Sequence, residues 1–194
     1  MRVSAKHLLL LTAVGTGMLL LVSCENDINK IKQLSAAQTT VAVDSTTNVD
    51  IIYSDSAKVK LHMTSPLLLQ HTDDKHPEKS FQEMPHGVKI VFYDTTRHET
   101  GNIVADSAIN HVAAKIIEFH KNVVATNAQG DTYKSDELIW DQTARKIYSN
   151  KQVTFTTVNG DVSVGSPFTS DEKFLKPQLG HATGLFHVTD MPGN

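Results

Sequence analysis

The sequence predicts an all-β body, an open stack of antiparallel strand meanders rather than a barrel, and three observations carry that reading. The stretch from Ile103 to Val164 is one unit written twice: Ala105-Asp106 recurs as Ser135-Asp136, Lys121-Asn122-Val123 as Lys151-Gln152-Val153, and Gly130-Asp131 as Gly160-Asp161, always 30 residues apart. A fixed period of this size marks a stacked supersecondary unit. Apolar and polar residues alternate strictly in Lys58–Met63, as a half-buried strand requires, and Gly87–Tyr93 reads as a clear strand with Val88, Ile90 and Phe92 on one face. After Asp50 no segment carries a sustained amphipathic helical face.

The amino terminus is read apart from this body. Arg2 and Lys6 form a short basic region, Leu8–Leu21 is mostly apolar, and Leu21-Val22-Ser23 leads into Cys24. The apolar run is shorter than the roughly 20 residues of a spanning helix, and Thr12, Gly15, Thr16 and Gly17 dilute it. Residues 1–23 therefore read as a leader. They resemble a bacterial lipobox, which implies cleavage before Cys24 and lipid on its sulfur. The other reading is an uncleaved anchor that ends at a cysteine by coincidence. Cys24 is the chain's one cysteine, which excludes a disulfide framework and a cysteine-based metal site.

Without the leader, 16 basic residues face 21 acidic ones. There is no Lys/Arg-rich run, and the charge balance argues against nucleic acid as a partner. Residues 25–50 are polar and poor in large apolar side chains, and they read as a flexible tether behind Cys24. Such a coil would span roughly 28 Å.

Order is expected from Ile51 to Val188, with residues 189–194 as a tail. Ile51-Ile52-Tyr53 opens the body and Lys58–Met63 follows as a strand that Pro66 limits, with Leu67-Leu68-Leu69 resuming at an edge. His71–Pro85, with its charged residues and two prolines, reads as a long polar loop. Val88, Ile90 and Phe92 share one face of the next strand. Within the repeats, Ile117, Phe119, Val123 and Ala125 share odd parity, as do Ile147, Val153 and Phe155. An even offset keeps equivalent residues on one side, so the two apolar stripes stack. Lys121 and Lys151 interrupt both stripes at the same repeat position, as a bulge or bend would. Leu138 and Trp140 have even parity and are expected on the other face. The third copy starts at Val162 and is broken by Pro177, Gly180 and Gly184, with Leu185–Val188 as a last strand.

Catalytic and cofactor motifs are missing: there is no G-x-S-x-G elbow, P-loop or dinucleotide glycine fingerprint. No enzyme activity and no cofactor are expected. His71, His76, Asp73 and Asp74 share one polar segment, where solvated side chains are a better reading than a metal site. Asp136-Glu137 and Asp171-Glu172 are adjacent pairs suited to turns and strand starts. Trp140 reads either as a packing residue or as a stacking platform for sugar. The remaining candidate is the odd stripe: Phe92, Ile117, Phe119, Val123, Ile147, Val153 and Phe155. Two readings of it stand open, an ordinary core and a groove open to acyl chains. In the groove, burial would yield roughly 0.8 kcal/mol per CH₂.

Tyr53-Ser54-Asp55-Ser56, Glu137–Asp141, Lys146–Ser149 and Val153–Thr156, in this order over about Ile51 to Val188, resemble the LptC-type lipopolysaccharide-export proteins. The likeness is strongest to members with a lipobox in place of a membrane helix. It implies an open twisted β-jellyroll that takes lipopolysaccharide from an inner-membrane ABC transporter and passes it to a periplasmic β-jellyroll bridge by edge-to-edge stacking. The protein would sit in the periplasm, held to the inner membrane through Cys24, and would touch the transporter's permease subunits without the amino-terminal helix that many members keep. The competing reading is a surface lipoprotein that binds glycan or a partner protein through Trp140 and the His71–Pro85 segment.

Overall fold

The computed structural model describes residues 42–185. The leader, Cys24, residues 25–41 of the expected tether, Phe186–Val188 and the tail lie outside these residues. Fourteen strands form one continuous antiparallel sheet, and a single 3₁₀ turn at Pro77–Lys79 is the only helical element among the described residues.

The strands are β1 (Ala42–Asp55), β2 (Lys58–Thr72), β3 (Phe81–Met84), β4 (Val88–Tyr93), β5 (Glu99–Ala105), β6 (Ser107–His111), β7 (Ile116–Asn127), β8 (Thr132–Asp141), β9 (Lys146–Ser149), β10 (Val153–Thr156), β11 (Val162–Gly165), β12 (Phe168–Asp171), β13 (Gln178–Leu179) and β14 (Thr183–Leu185).

The long strands change partner midway, and this folds the sheet into two layers. Strand β2 pairs β4 through Leu61–Thr64 and β3 through Leu69–His71. Strand β7 pairs β6 through Ile116–His120 and β5 through Val124–Asn127. Strand β8 pairs β10 through Thr132–Ser135 and β9 through Ile139–Asp141. The first layer thus contains the front of β2, β4, β5, the end of β7, the start of β8, β10, β11 and β14. The second contains the rear of β2, β3, β6, the start of β7, the end of β8, β9, β12 and β13.

The crease between the layers has a chemical cause at each crossing. Asn48, at φ 52°, stands opposite Pro66, which has no N–H for a ladder. Gly87 turns the chain at φ 103°. In β7, Lys121 and Asn122 take φ 63° and 47° and together oppose the single Asp136, a bulge that bends the strand. Asn122 fastens it by donating from Nδ2 to Asp106 Oδ2 at 2.7 Å. In the next turn of the stack Ser135 Oγ donates to the Gln152 carbonyl at 2.9 Å, and Ser166 Oγ donates to that of Asn150 at 2.9 Å. Asp106, Asp136 and Ser166 are successive repeat positions. The 30-residue period is therefore one complete crossing of the crease and back.

Two features depart from the sequence reading. Order was expected from Ile51, but β1 already begins at Ala42, because residues 42–50 pair with Thr64–Thr72 of β2 and satisfy their backbone groups there. The side chains of this stretch are exposed apart from Val49, which is why composition resembles a tether. His71–Pro85 is not one loop either: β2 runs through Pro66 to Thr72, and Phe81–Met84 is a strand, leaving Asp73–Ser80 as the connection.

The core lies between the layers. Met84, Ile90, Ile103, Phe119, Tyr133, Leu138, Ile147 and Val153 are all at or near zero exposure in one cluster. Ring contacts join the two sides: Phe92 with Trp140 at 5.0 Å and Tyr133 with Phe168 at 5.4 Å between centroids.

Candidate functional site

The site is built on the interior faces. The bulge in β7 inserts two residues and preserves parity, so Ile117, Phe119, Val123 and Ala125 all point inward. The single residue Asp136 in β8 reverses it, so Tyr133 and then Leu138 and Trp140 point inward too. The expectation that Leu138 and Trp140 occupy the opposite face is corrected by that reversal.

Of the predicted stripe, Phe92, Ile117, Phe119, Val123, Ile147 and Val153 are buried in the shared cluster. Phe155 is partly buried and stacks on Tyr133 at 4.8 Å. In the described conformation the stripe is thus the lining between two closed layers, not an exposed groove. What the single-sheet picture lacked was the crease, which lets one half of the sheet cover the other.

The layers part at the side away from the crease. A cleft of about 580 Å³ opens there, between Lys60, Leu61, Met63, Ile90 and Phe92 of the first layer and Ile117 and Trp140 of the second. Its size falls within the usual range for ligand sites. Phe92 and Ile117 are the two predicted stripe residues that reach it. Its lining combines these aromatic and aliphatic side chains with Asn110, and its rim carries Asp55, Asp94, Arg145, Glu172 and Lys173. This division suits an amphipathic ligand, with the tail inward and the head at the rim.

Two rim carboxylates are held by hydrogen bonds. Asp94 Oδ1 accepts from Thr96 Oγ1 and N at 2.7 Å each, and from His98 N at 2.9 Å. These bonds, that from the Thr96 hydroxyl foremost, hold its carboxyl down at about 2. Glu172 accepts from Trp140 Nε1 at 3.0 Å and Arg145 Nε at 3.1 Å. Trp140 is 4 % exposed, so it offers no open ring face for a sugar. Behind the rim, Tyr133 donates its hydroxyl to the Phe174 carbonyl at 3.2 Å, and burial pushes its phenol up to about 12.

Sequence reasoning missed Met63, Tyr133, Phe168 and Phe174 as parts of this interior. Ile90 is placed on the Phe92 face by its strand, but Phe174 lies in a connection where no periodicity exists to find it. Among the described residues no three His, Asp or Glu side chains are arranged to hold a metal ion. Asp73 spends one carboxylate oxygen on the Lys75 and His76 amides.

These features define an all-β protein of the two-layer β-jellyroll class, with an apolar interior and a mouth that carries charged residues. The family described as "Lipopolysaccharide-assembly, LptC-related" matches residues 9–173, most of the chain, and the protein belongs to it. Its role is in lipopolysaccharide transport, in a family of periplasmic, inner-membrane-associated transport proteins rather than enzymes. Among curated proteins none matches the chain in sequence. No helix of the described residues is long and apolar enough to cross a membrane.

Proposed function

We propose that the chain is a lipid-anchored periplasmic relay, which receives lipopolysaccharide from an inner-membrane ABC transporter and hands it to a periplasmic β-jellyroll bridge. The supporting observation is the continuous apolar interior from Phe92 and Ile117 at the mouth to Phe119, Val123, Ile147, Val153 and Phe155 within. Acyl chains enter between the layers, driven by roughly 0.8 kcal/mol per buried CH₂. Among the described residues β1, 14 residues long, pairs only with β2, and β13 and β14 each pair with one strand. These free edges suit strand-to-strand stacking with the permease subunits at one end and the bridge at the other. Cys24 carries the lipid that holds the body to the inner membrane.

Photo-crosslinking amino acids at Phe119 and Phe155 test the cargo. Capture of lipopolysaccharide in cells is the expected result, and capture only from outward positions such as His120 and Thr154 would sink the assignment. A Cys24→Ala variant should stay in precursor form and lose fatty-acid labelling. Unchanged processing would refute the anchor.

A further inference from the structure

The connection between β12 and β13 carries one inward-pointing side chain. Phe174 is 1 % exposed, while Lys173, Leu175, Lys176 and Pro177 around it are exposed. Connections normally lie on the surface, so a single buried aromatic in one is a specific insertion. The ring stacks on Tyr133 at 5.0 Å between centroids, and the backbone carbonyl accepts from the Tyr133 hydroxyl. Tyr133 belongs to the first layer, whereas Phe174 follows β12 of the second. The insertion therefore bridges the layers.

Glu172 and Lys173, the two residues that precede Phe174, line the cleft described above. The segment is held by few bonds. Glu172 ties it to Trp140 and Arg145, and Tyr133 ties the Phe174 carbonyl. The rest are local: Phe174 N donates to the Asp171 carbonyl at 3.0 Å and Leu175 N to Asp171 Oδ1 at 2.7 Å. Phe174 itself sits at φ 55°, a left-handed conformation unfavourable for a bulky side chain. An aromatic ring at this place keeps the interior dry when empty. A hydrocarbon chain of similar bulk would restore the contacts that Tyr133 loses when the ring leaves.

We propose that Glu172–Phe174 is a self-occupying stopper: in the empty protein Phe174 fills interior space that an acyl chain takes on loading, and Glu172 is the latch to Trp140 that opens with it. This rests on the lipid-relay reading and adds the residue that competes with the cargo.

The chain's single tryptophan reports the latch, and the amides of Phe174 and Leu175 report the stopper. The mature chain is mixed with purified lipopolysaccharide, or with laurate as a single-chain probe. Co-elution, hydrogen exchange and Trp140 emission are then read together. Lipopolysaccharide should bind, shift the Trp140 emission and remove protection at Phe174 and Leu175, and Phe174→Ala should load several-fold faster. Binding that leaves both amides protected overturns the stopper and leaves the relay standing. Release of Phe174 by laurate without any lipopolysaccharide binding keeps the stopper and overturns the cargo. If neither ligand frees Phe174, the stopper is overturned, and absence of lipopolysaccharide binding in that case overturns the cargo as well.

Discussion

Phe92 meets Trp140 edge to face, 5.0 Å between ring centroids and 82° between planes, and the two rings come from opposite layers. The contact stands at the inner wall of the cleft, where the layers begin to part. The electropositive edge of one ring against the face of the other adds about 0.5–1.5 kcal/mol to simple burial. It acts as a clasp between sheets whose only covalent continuity is the crease on the far side.

Removing the clasp should loosen the mouth. Phe92→Ala is expected to destabilise the fold by about 3 kcal/mol, at the low end of the usual range because the cleft is adjacent. Phe92→Leu, which keeps apolar bulk without the ring edge, should lose about 1 kcal/mol. Urea denaturation curves give both values. A Phe92→Leu variant as stable as the parent would show that bulk alone matters.

The crease stores strain in β7 that glycine can relieve. Lys121 holds φ 63° with a β-carbon, a conformation that disfavours most L-residues by about 1–2 kcal/mol. Lys121→Gly removes that penalty and adds chain entropy to the unfolded state, so a net gain of up to about 1 kcal/mol is expected. The same change at Lys134, an exposed position inside β8, should destabilise by about 0.5–1 kcal/mol. A higher melting temperature for the first variant and a lower one for the second is the checking measurement.

That bulge also shows what was legible in the sequence and what was not. Lys121 and Lys151 recur at one repeat position and break an apolar stripe, which is enough to place a bend. Whether the bend merely curves a sheet or folds it over on itself depends on partner exchange by β2, β7 and β8, and no single strand records its partners. Parity failed at Asp136 for the same reason: one unpaired residue reverses inside and outside, and Leu138 and Trp140 then read as a second face. The polar residues 42–50 hide a strand because β1 contributes backbone bonds rather than a buried face. Phe174 is invisible to periodicity, since its burial comes from a loop and a partner 41 residues away.

The bond between Tyr133 and Phe174 sets an alkaline limit. Burial, with the Asp131 charge second, raises the Tyr133 phenol from 10.0 to about 12. Between those values the folded chain keeps a proton that the unfolded chain releases, so folding weakens as pH rises from 10.0 to about 12. One of the chain's four tyrosines should therefore ionise late in an absorbance titration, and Tyr133→Phe should remove that component. The variant keeps the ring stack and forfeits about 1 kcal/mol at neutral pH for the lost hydrogen bond. If the late component survives the substitution, it belongs to another tyrosine.

Asp94 sets the acid limit at the rim. Its carboxylate is held by the Thr96 hydroxyl, the His98 and Thr96 amides and the nearby His98 ring, which lower it from 3.8 to about 2. The unfolded chain takes up the proton first as pH falls, so the stabilisation is complete above 3.8 and is lost as pH drops from there toward about 2. Asp94→Asn should thus be less stable than the parent at neutral pH, because an amide is a weaker acceptor for three donors. The gap should narrow below pH 3.8 and close near pH 2. Urea midpoints measured for both proteins from neutral to acid pH give the comparison. A gap that stays constant through that range would mean that the substituted amide fails by shape, and that the charge at this turn contributes nothing.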